Sequence, residues 1–292
     1  MKKNISLVFV FLLTLFFVNG FFINDSAFAE DDGTLGAWSA TSPLNVERIS
    51  SVVVAGDGFL YAMAGISDAG SGRDRLKSVE VAEINSNGTL GSWEETSFLS
   101  FPRVDGSGTV YNGYVYYVGG WNLGRGHLRD VEVAKIITEG DDKGKLETWK
   151  PTSSLNVARA HAGVVAYNGY LYAISGENGE WTSEYAEILD EGQLGPWQRT
   201  TPMNKGRREF AMVEYNGYLY AAGGYYDGNL LDSVERVKVK TDGSGELETW
   251  MPATPLPTAR RWVSRMGVAS NGFFYVLGGV SDSGVLMTYP KS

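Results

Sequence analysis

The stretch GPWQRTTPMNKGRREFAMVEYNGYLYAAGG, residues 195–224, contains the elements of a unit that the chain repeats. In it, Trp197 is followed ten residues later by Arg207 and then by Asn216-Gly217, which separates two alternating apolar runs. A tyrosine and a glycine pair complete the stretch. An Asn-Gly dipeptide in this setting favours a type I′ hairpin turn, because both of its residues must adopt a positive φ. The stretch therefore predicts a β-hairpin.

The same unit occurs five times along the 292 residues. Its tryptophans are separated by 55, 56, 48 and 53 residues, and an arginine always follows ten residues after each of them. These residues are Trp38, Trp93, Trp149, Trp197 and Trp250, with Arg48, Arg103, Arg159, Arg207 and Arg260. The turns follow at Asp57, Asn112, Asn168, Asn216 and Asn271, each before a glycine. Such a period is typical of repeat architectures.

We interpret each unit as four strands, with a and b on either side of the turn, c in the next alternating run and d at the tryptophan. Strand c is expected at 79–84, 131–136, 184–188 and 234–239. A four-stranded antiparallel sheet cannot bury both of its faces alone, whereas sheets stacked around an axis can. The sequence therefore predicts an all-β, five-bladed propeller with four-stranded antiparallel blades.

The two ends of the chain predict how the ring closes. Residues 37–41 match a strand d that no a, b or c precedes, and residues 285–289 match a strand c that no d follows. We expect the N-terminal d strand to complete the C-terminal blade, because this pairing removes two exposed sheet edges. The alternative is a ring of six or seven blades completed by a second chain, which the complementary ends disfavour.

The order of turn, tyrosine, glycine pair and tryptophan resembles the kelch repeat, and the resemblance covers residues 33–292. It implies a β-propeller. Two features depart from the usual kelch pattern. Most relatives have six or seven blades, and they carry a tyrosine in strand c. Here that position holds Ala82, Ala134, Ala186 and Val237.

Residues 1–29 have the features of a signal peptide. Lys2 and Lys3 precede the apolar run 5–17, and Ala27-Phe28-Ala29 fits a cleavage site. The alternative is an uncleaved N-terminal anchor, although polar residues interrupt the apolar stretch. We expect a secreted or periplasmic protein whose propeller covers 30–292. Its repeats are expected at about 33–87, 88–143, 144–191, 192–244 and 245–292.

Charge and cysteine content restrict the partners. Loss of the predicted signal peptide takes the formal net charge from −9 to −10, which disfavours nucleic acid and anionic membranes. The chain has no cysteine, so disulfides, thiolate metal sites and a lipoprotein anchor are excluded. We expect a monomer that binds a protein or carbohydrate ligand, without a cofactor and without a membrane attachment in the mature form.

The five repeated arginines have two interpretations, since they lie where the chain crosses from the rim to the axis. Each guanidinium could bind carbonyl groups of loops in neighbouring blades, or the five could form a cationic ring that attracts carboxylates. Their fixed spacing favours the structural role. Four glutamates share one strand-c position, which indicates a solvated or salt-bridged face, and these are Glu80, Glu132, Glu184 and Glu235.

Because the strands alternate in direction, the d–a crossovers and b–c loops should share one face, and this face carries the variable residues. The second residue after each arginine is Ser50, Asp105, His161, Glu209 or Trp262. We predict a ligand site there, formed by Arg48, Arg103, Asp105, Trp121, Arg159, His161, Trp181, Arg207, Arg208, Glu209, Tyr225, Arg260, Arg261 and Trp262. Aromatic faces beside charged groups suit sugars, especially acidic ones, and peptides.

Enzymatic functions are less favoured. Galactose oxidase-like kelch enzymes need a Tyr–Cys crosslink and two histidines, whereas this chain has no Cys, and His127 and His161 lie in different repeats. No nucleophile motif or calcium-loop spacing is present, so we predict neither catalytic residues nor a metal site.

The sequence thus leaves several functions open. The first is a non-catalytic binding scaffold. The second, implied by the kelch resemblance, is a sialic acid-type sugar mutarotase, for which Glu209 or Asp105 with His161 could supply an acid–base pair. A glycosidase would need two placed carboxylates, for which Asp105 and Glu209 are the candidates at the mouth. A purely structural surface protein is the fourth.

Overall fold

The computed structural model describes residues 9–11, 24–27, 39–68, 74–264, 267–270 and 272–281. The predicted type I′ turns are present, because both turn residues have positive φ wherever both are described. Asn112 and Gly113, for example, have φ of 48° and 78°. Both residues of each turn are therefore of types that tolerate the left-handed conformation.

Four antiparallel sheets of four strands follow one another along the chain, each in the order a-b-c-d. Strands a are Val52–Gly56, Ser107–Tyr111, Gly163–Tyr167 and Ala211–Tyr215. Strands b are Phe59–Met63, Tyr114–Val118, Tyr170–Ile174 and Tyr218–Ala222. Strands c are Val79–Glu83, Val131–Lys135, Ser183–Glu187 and Val234–Lys238. Strands d are Glu94–Glu95, Lys150–Thr152, Gln198–Thr200 and Met251–Ala253, each starting directly after the repeated tryptophan.

A fifth unit follows these four blades, and the described residues show it as the two-stranded sheet Gly267–Ser270 and Phe273–Val276. The sequence predicted a fifth blade of four strands, so the number of complete blades is four rather than five within the described chain. The predicted strand c at 285–289 lies outside the described residues. The predicted boundaries of the last repeat are untested for the same reason.

The predicted closing strand at 37–41 is present as Ser39–Thr41, but its described partner differs from the predicted one. It pairs with Asn24–Ala27, which pairs in turn with Phe9–Phe11. Both partners lie within the predicted signal peptide. The expected pairing between the two ends of the propeller is therefore absent from the described residues.

The blades adjoin in chain order through their a strands, so these strands line the axis as in other propellers. The tryptophans fill the space between blades, as predicted, and donate across it. Trp149 Nε1 donates to the Ser97 carbonyl at 2.9 Å, and Trp197 and Trp250 repeat this bond with the preceding blade. Trp93 makes the same bond with Ser42, which follows the strand Ser39–Thr41. Buried tyrosines add a second link, since Tyr61 donates to the Gly144 carbonyl at 2.7 Å.

Short hairpins extend three of the b–c loops. They are Ile66–Ser67 with Asp74–Arg75, Trp121–Asn122 with Gly126–His127, and Tyr225–Tyr226 with Asn229–Leu230. The third blade has a tight loop instead, and a 3₁₀ turn at Asp190–Gly192 follows its strand c. Within the described ranges no helix has the length and apolar character needed to span a membrane.

Candidate functional site

The d–a crossovers and the b–c loops lie on one face, as predicted, because the same backbone bridge joins them in all five units. The residue after each repeated arginine pairs with the residue after the strand-b glycine. The pairs are Ile49 with Ile66, Val104 with Trp121, Ala160 with Glu177, Arg208 with Tyr225, and Arg261 with Val280. We call this face, around the axis, the mouth.

One arginine and one glutamate form a buried pair in each of the four complete blades. The pairs are Arg48 with Glu80, Arg103 with Glu132, Arg159 with Glu184, and Arg207 with Glu235. The arginines are at most 2% exposed and the glutamates at most 5%. Burial lowers the pKa of Arg103, Arg159 and Arg207, the expected direction for a desolvated cation.

These arginines bind within their own blade, which corrects the expectation of neighbouring blades. Arg207 Nη1 donates to the carbonyl groups of Gly223 and Ser233 at 3.0 and 2.8 Å. Glu235 also accepts the backbone N–H groups of Asn204 and Lys205. The glutamates are thus salt-bridged and not solvated, and each ties the d–a crossover to strand c.

The cationic ring considered from sequence is therefore not formed by these four arginines, because they lie in the core below the mouth. In the fifth unit, Arg260 is half-buried and donates to the Gly278 carbonyl at 3.1 Å. Of the predicted arginines, Arg208 and Arg261 are the two whose side chains reach the mouth, at 29% and 31% exposure.

The second residue after each repeated arginine is strained. Ser50, Asp105, His161, Glu209 and Trp262 have φ of 54°, 56°, 51°, 58° and 60°. Left-handed backbone costs a non-glycine residue roughly 1–2 kcal/mol, and such residues concentrate at functional sites. The sequence did not reveal this conformation, because the five side chains have no chemistry in common.

Backbone hydrogen bonds join these residues into an arc that passes from blade to blade. The N–H of Asp105 donates to Ser50 at 3.2 Å, and the N–H of His161 donates to Asp105 at 2.8 Å. The N–H of Glu209 donates to His161 at 3.4 Å, and Val263 donates to Glu209 at 3.1 Å. Side chains that are 48 or more residues apart along the chain are thereby brought to one rim of the axis.

Glu209 is the most buried carboxylate at the mouth, at 7% exposure. Desolvation raises the pKa of this carboxyl, and the charges of His161, Arg261 and Arg208 partly oppose the rise. Its Oε2 atom has no hydrogen-bond partner among the described residues, and the Nε atom of Arg261 lies 3.9 Å away. A buried carboxylate oxygen without a donor is an acceptor site for a ligand hydroxyl or amide.

The two arginines of the mouth share one aromatic ring. The guanidinium carbons of Arg208 and Arg261 lie 5.1 and 4.9 Å from the centre of the Tyr225 ring, and Arg261 also lies 4.7 Å from the Trp262 ring. Arg208 Nη1 donates to Glu177 Oε1 at 2.9 Å. Stacking on a ring fixes a guanidinium and leaves its N–H groups directed away from the ring, where they can bind anions.

Both histidines of the chain lie at the mouth, each close to a carboxylate. His161 Nε2 is 3.6 Å from Asp105 Oδ1, and His127 Nε2 is 3.8 Å from Glu177 Oε2. Glu177 and His127 are absent from the set predicted from sequence. Glu177 follows the strand-b glycine, the position that Trp121 and Tyr225 hold in their repeats. The spacing of the repeat therefore indicates that Glu177 lies at the mouth.

The predicted tryptophans differ in exposure. Trp181 and Trp262 are exposed by 54% and 40%. Trp121 is half-buried beneath the guanidinium of Arg75, which lies 5.0 Å from its ring. Trp121 is thus less accessible than the sequence suggested. In the described part of the chain, no group of three or more His, Asp or Glu side chains is arranged to hold a metal ion.

Two comparisons with known proteins agree with this architecture. The family model of the kelch motif matches residues 206–257, which enclose the whole fourth blade from Arg207 to strand d. The solved structure of YjhT superposes with a TM-score of 0.71 over 91% of this chain and 86% of that one, at 16% identity. At this identity the likeness concerns the fold.

Repeated four-stranded blades around an axis, with variable loops at one pole, define an all-β propeller. Residues 206–257 match the kelch motif, and the chain as a whole resembles a kelch-repeat β-propeller.

Proposed function

We propose that this protein is a secreted kelch-repeat binding scaffold that recognises an acidic glycan at the mouth. One arrangement carries the proposal, namely Arg208 and Arg261 stacked on Tyr225 beside the buried carboxylate of Glu209. The guanidinium groups provide paired donors for a sugar carboxylate. The oxygen of Glu209 provides an acceptor for a hydroxyl. A glycan acid needs both kinds of partner within one small area.

Titration calorimetry against acidic and neutral sugars tests the proposal, after a glycan and peptide array has selected the strongest ligands. We expect Arg261→Ala to weaken acidic ligands at least about tenfold, because it removes a charge-assisted bond. Arg199 is exposed on strand d of the third blade, so Arg199→Ala is the matched control and should bind normally. Equal effects of the two variants would count against a site at the mouth, and binding of peptides alone would replace glycan by protein as the partner.

A second candidate function is a sugar mutarotase, and the environment of the buried Glu209 carboxyl favours it. Burial raises the pKa of this carboxyl, and His161 lies close enough to influence it. Ring opening requires a base that removes the anomeric hydroxyl proton and an acid that protonates the ring oxygen as its bond to the anomeric carbon breaks. Reversal of the same transfers on the other face of the carbonyl closes the ring, so no other reactant is consumed.

Exchange between the anomers of sialic acid, followed by NMR, tests this function. Mutarotase activity predicts exchange faster than in buffer, and Glu209→Gln should abolish the acceleration. Wild-type protein that leaves the exchange rate at the buffer value rules out the enzyme, while the binding function can stand.

We infer that the ring has five blades and that Ser39–Thr41 is strand d of the last one. The support is a repeated contact with the next blade. Leu90 donates to Thr41 Oγ1 at 2.6 Å, as Leu146 donates to Thr96 Oγ1 at 2.7 Å between blades one and two. Strand d at the N-terminus therefore contacts blade one as strand d of blade one contacts blade two.

Closure by the tail can be tested because the chain has no cysteine of its own. The repeat frame aligns Ala40 with Leu286, whereas the described sheet aligns Ala40 with Asp25. We expect Ala40→Cys with Leu286→Cys to form a disulfide in the secreted protein. Crosslinking of Ala40→Cys with Asp25→Cys instead would show that the signal segment is retained and holds this edge, which would overturn both cleavage and closure.

A further inference from the structure

An exposed tryptophan at the rim of the mouth has a rigid backbone. Trp181 is 54% exposed, yet both residues beside it are anchored. The carbonyl of Glu180 accepts from Ser175 Oγ at 2.8 Å, and the carbonyl of Thr182 accepts from Arg159 Nη1 at 3.1 Å. The buried arginine of the third blade thus fixes the loop that displays this ring. A loop tip held in this way loses little entropy when a ligand binds.

Trp181 is paired with a second aromatic residue from the neighbouring blade. Its ring meets the Tyr226 ring edge to face, with centroids 5.3 Å apart. Tyr226 lies in the short hairpin Tyr225–Tyr226 with Asn229–Leu230, whose pairing fixes it in turn. The contact orients the indole while most of its surface stays in solvent. We call Trp181 and Tyr226 the rim pair.

The rim pair lies beside the mouth. Tyr226 directly follows Tyr225, the ring on which Arg208 and Arg261 stack. Tyr225 and Tyr226 are successive residues of one strand, so their rings leave the hairpin on opposite sides. The paired guanidinium groups and the rim pair therefore lie on the same hairpin and on the loops of one face, beside each other.

The neighbouring positions of the two guanidinium groups and the uncharged rings fit a ligand that has an anionic end and an uncharged remainder. The flat C–H face of a pyranose packs on an indole ring, and its hydroxyls both donate and accept hydrogen bonds. The mouth presents donors and acceptors together, in Arg208, Arg261 and Glu209. A peptide partner would match the charge but would not require a flat platform one loop away from it.

We propose that the rim pair is an outer sugar subsite, so that the protein binds the acidic end of an oligosaccharide in preference to a free acidic sugar. This inference rests on the proposed function of the mouth as an acidic-glycan site. It adds the class of ligand, namely an oligosaccharide of two or more units whose terminal acid faces Arg208 and Arg261.

Calorimetry with two series of ligands tests the subsite. One series is galacturonic acid with its dimer and trimer, and the other is sialic acid with sialyllactose. For the series that binds, we expect wild-type protein to hold the longest member about tenfold more tightly than the monosaccharide. Trp181→Ala should remove this gain and leave monosaccharide affinity unchanged, and Trp181→Phe should restore part of it.

Leu123 provides the matched control, because it is 69% exposed on the b–c loop of the second blade. Leu123→Ala should leave every affinity unchanged. Equal affinity for short and long ligands, or a length effect that survives Trp181→Ala, overturns the outer subsite while the mouth proposal stands. Absence of binding by every member of both series overturns the mouth proposal itself.

Discussion

Arg207 and Arg208 are adjacent in sequence, yet they belong to two different regions of the molecule. Arg207 lies in the buried layer of arginine–glutamate pairs, fully enclosed and bonded to Glu235. Arg208 lies at the mouth, where its guanidinium is 29% exposed and rests on Tyr225. The first arginine therefore stabilises the blade, whereas the guanidinium of the second meets solvent. Four measurements test this difference between the buried layer and the mouth.

The largest effect is expected from the buried layer. Arg207→Ala leaves the Glu235 carboxylate buried without its cation, which should lower the free energy of unfolding by about 3–5 kcal/mol. Urea denaturation measures it. Joint replacement, Arg207→Met with Glu235→Leu, should recover only part of the loss, because Asn204 and Lys205 then lack their acceptor. Full stability of the single variant would contradict a structural role.

Replacement of a buried tryptophan and of an exposed one should differ in the same way in their effect on stability. Trp149 is 5% exposed between blades, so Trp149→Ala should cost about 3–5 kcal/mol of unfolding free energy. Trp181 projects from the rim, and Trp181→Ala should change stability by no more than about 0.5 kcal/mol. Thermal melts of both variants beside wild type give the comparison, and a comparable loss in the two would show that the rim is part of the core.

A smaller effect is expected from Glu209, and it depends on pH. Since burial raises the pKa of this carboxyl in the folded state, the folded protein holds its proton to higher pH than the unfolded chain does. Its contribution to stability is therefore complete at acidic pH and is lost as pH rises through the folded pKa. Glu209→Gln should remove this dependence and raise stability at pH 7 by about 1 kcal/mol or less.

Denaturation curves recorded from pH 4 to pH 8 for wild type and Glu209→Gln measure the difference. Asp105→Asn is the companion variant, because Asp105 lies on the same arc and its carboxyl is more exposed. Stability of wild type that rises with pH relative to Glu209→Gln would show that the charged form is the favoured one.

Arg208→Ala is expected to have little effect on stability. Its ion pair with Glu177 is partly exposed, so Arg208→Ala should cost less than about 1 kcal/mol. The same variant should nevertheless weaken acidic ligands at least about tenfold. A variant that unfolds as readily as Arg207→Ala would remove the distinction between the two arginines.

The repeat frame predicted most of the local structure. The turns and the strand order within four blades depend on residues close together in sequence, and the tryptophan packing between blades follows from the repetition of the unit. The described structure agrees with all three predictions. The pairing of strand d at the N-terminus differed from the prediction. Ser39–Thr41 can pair with any free strand edge, and its described partner is the upstream segment Asn24–Ala27.

The candidate site was only partly predictable. Asp105, His161 and Glu209 share a rim as the repeat suggested, whereas the ion pair of Glu177 with Arg208 was not predicted, because the two residues are 31 positions apart. Nothing in the identity of a repeated arginine reveals whether it is buried. The sequence therefore leaves four arginines as ligand candidates that the structure pairs with buried glutamates, namely Arg48, Arg103, Arg159 and Arg207.

The sequence by itself determined that the chain is a series of kelch-like four-stranded units, because hairpin turns and strand alternation are local properties of the backbone and of side-chain spacing. Only the tertiary structure decided which charged groups are enclosed and which meet solvent. That outcome depends on desolvation and on contacts between strands far apart along the chain. Burial of the arginine–glutamate layer and exposure of the mouth above it are consequences of how the blades stack.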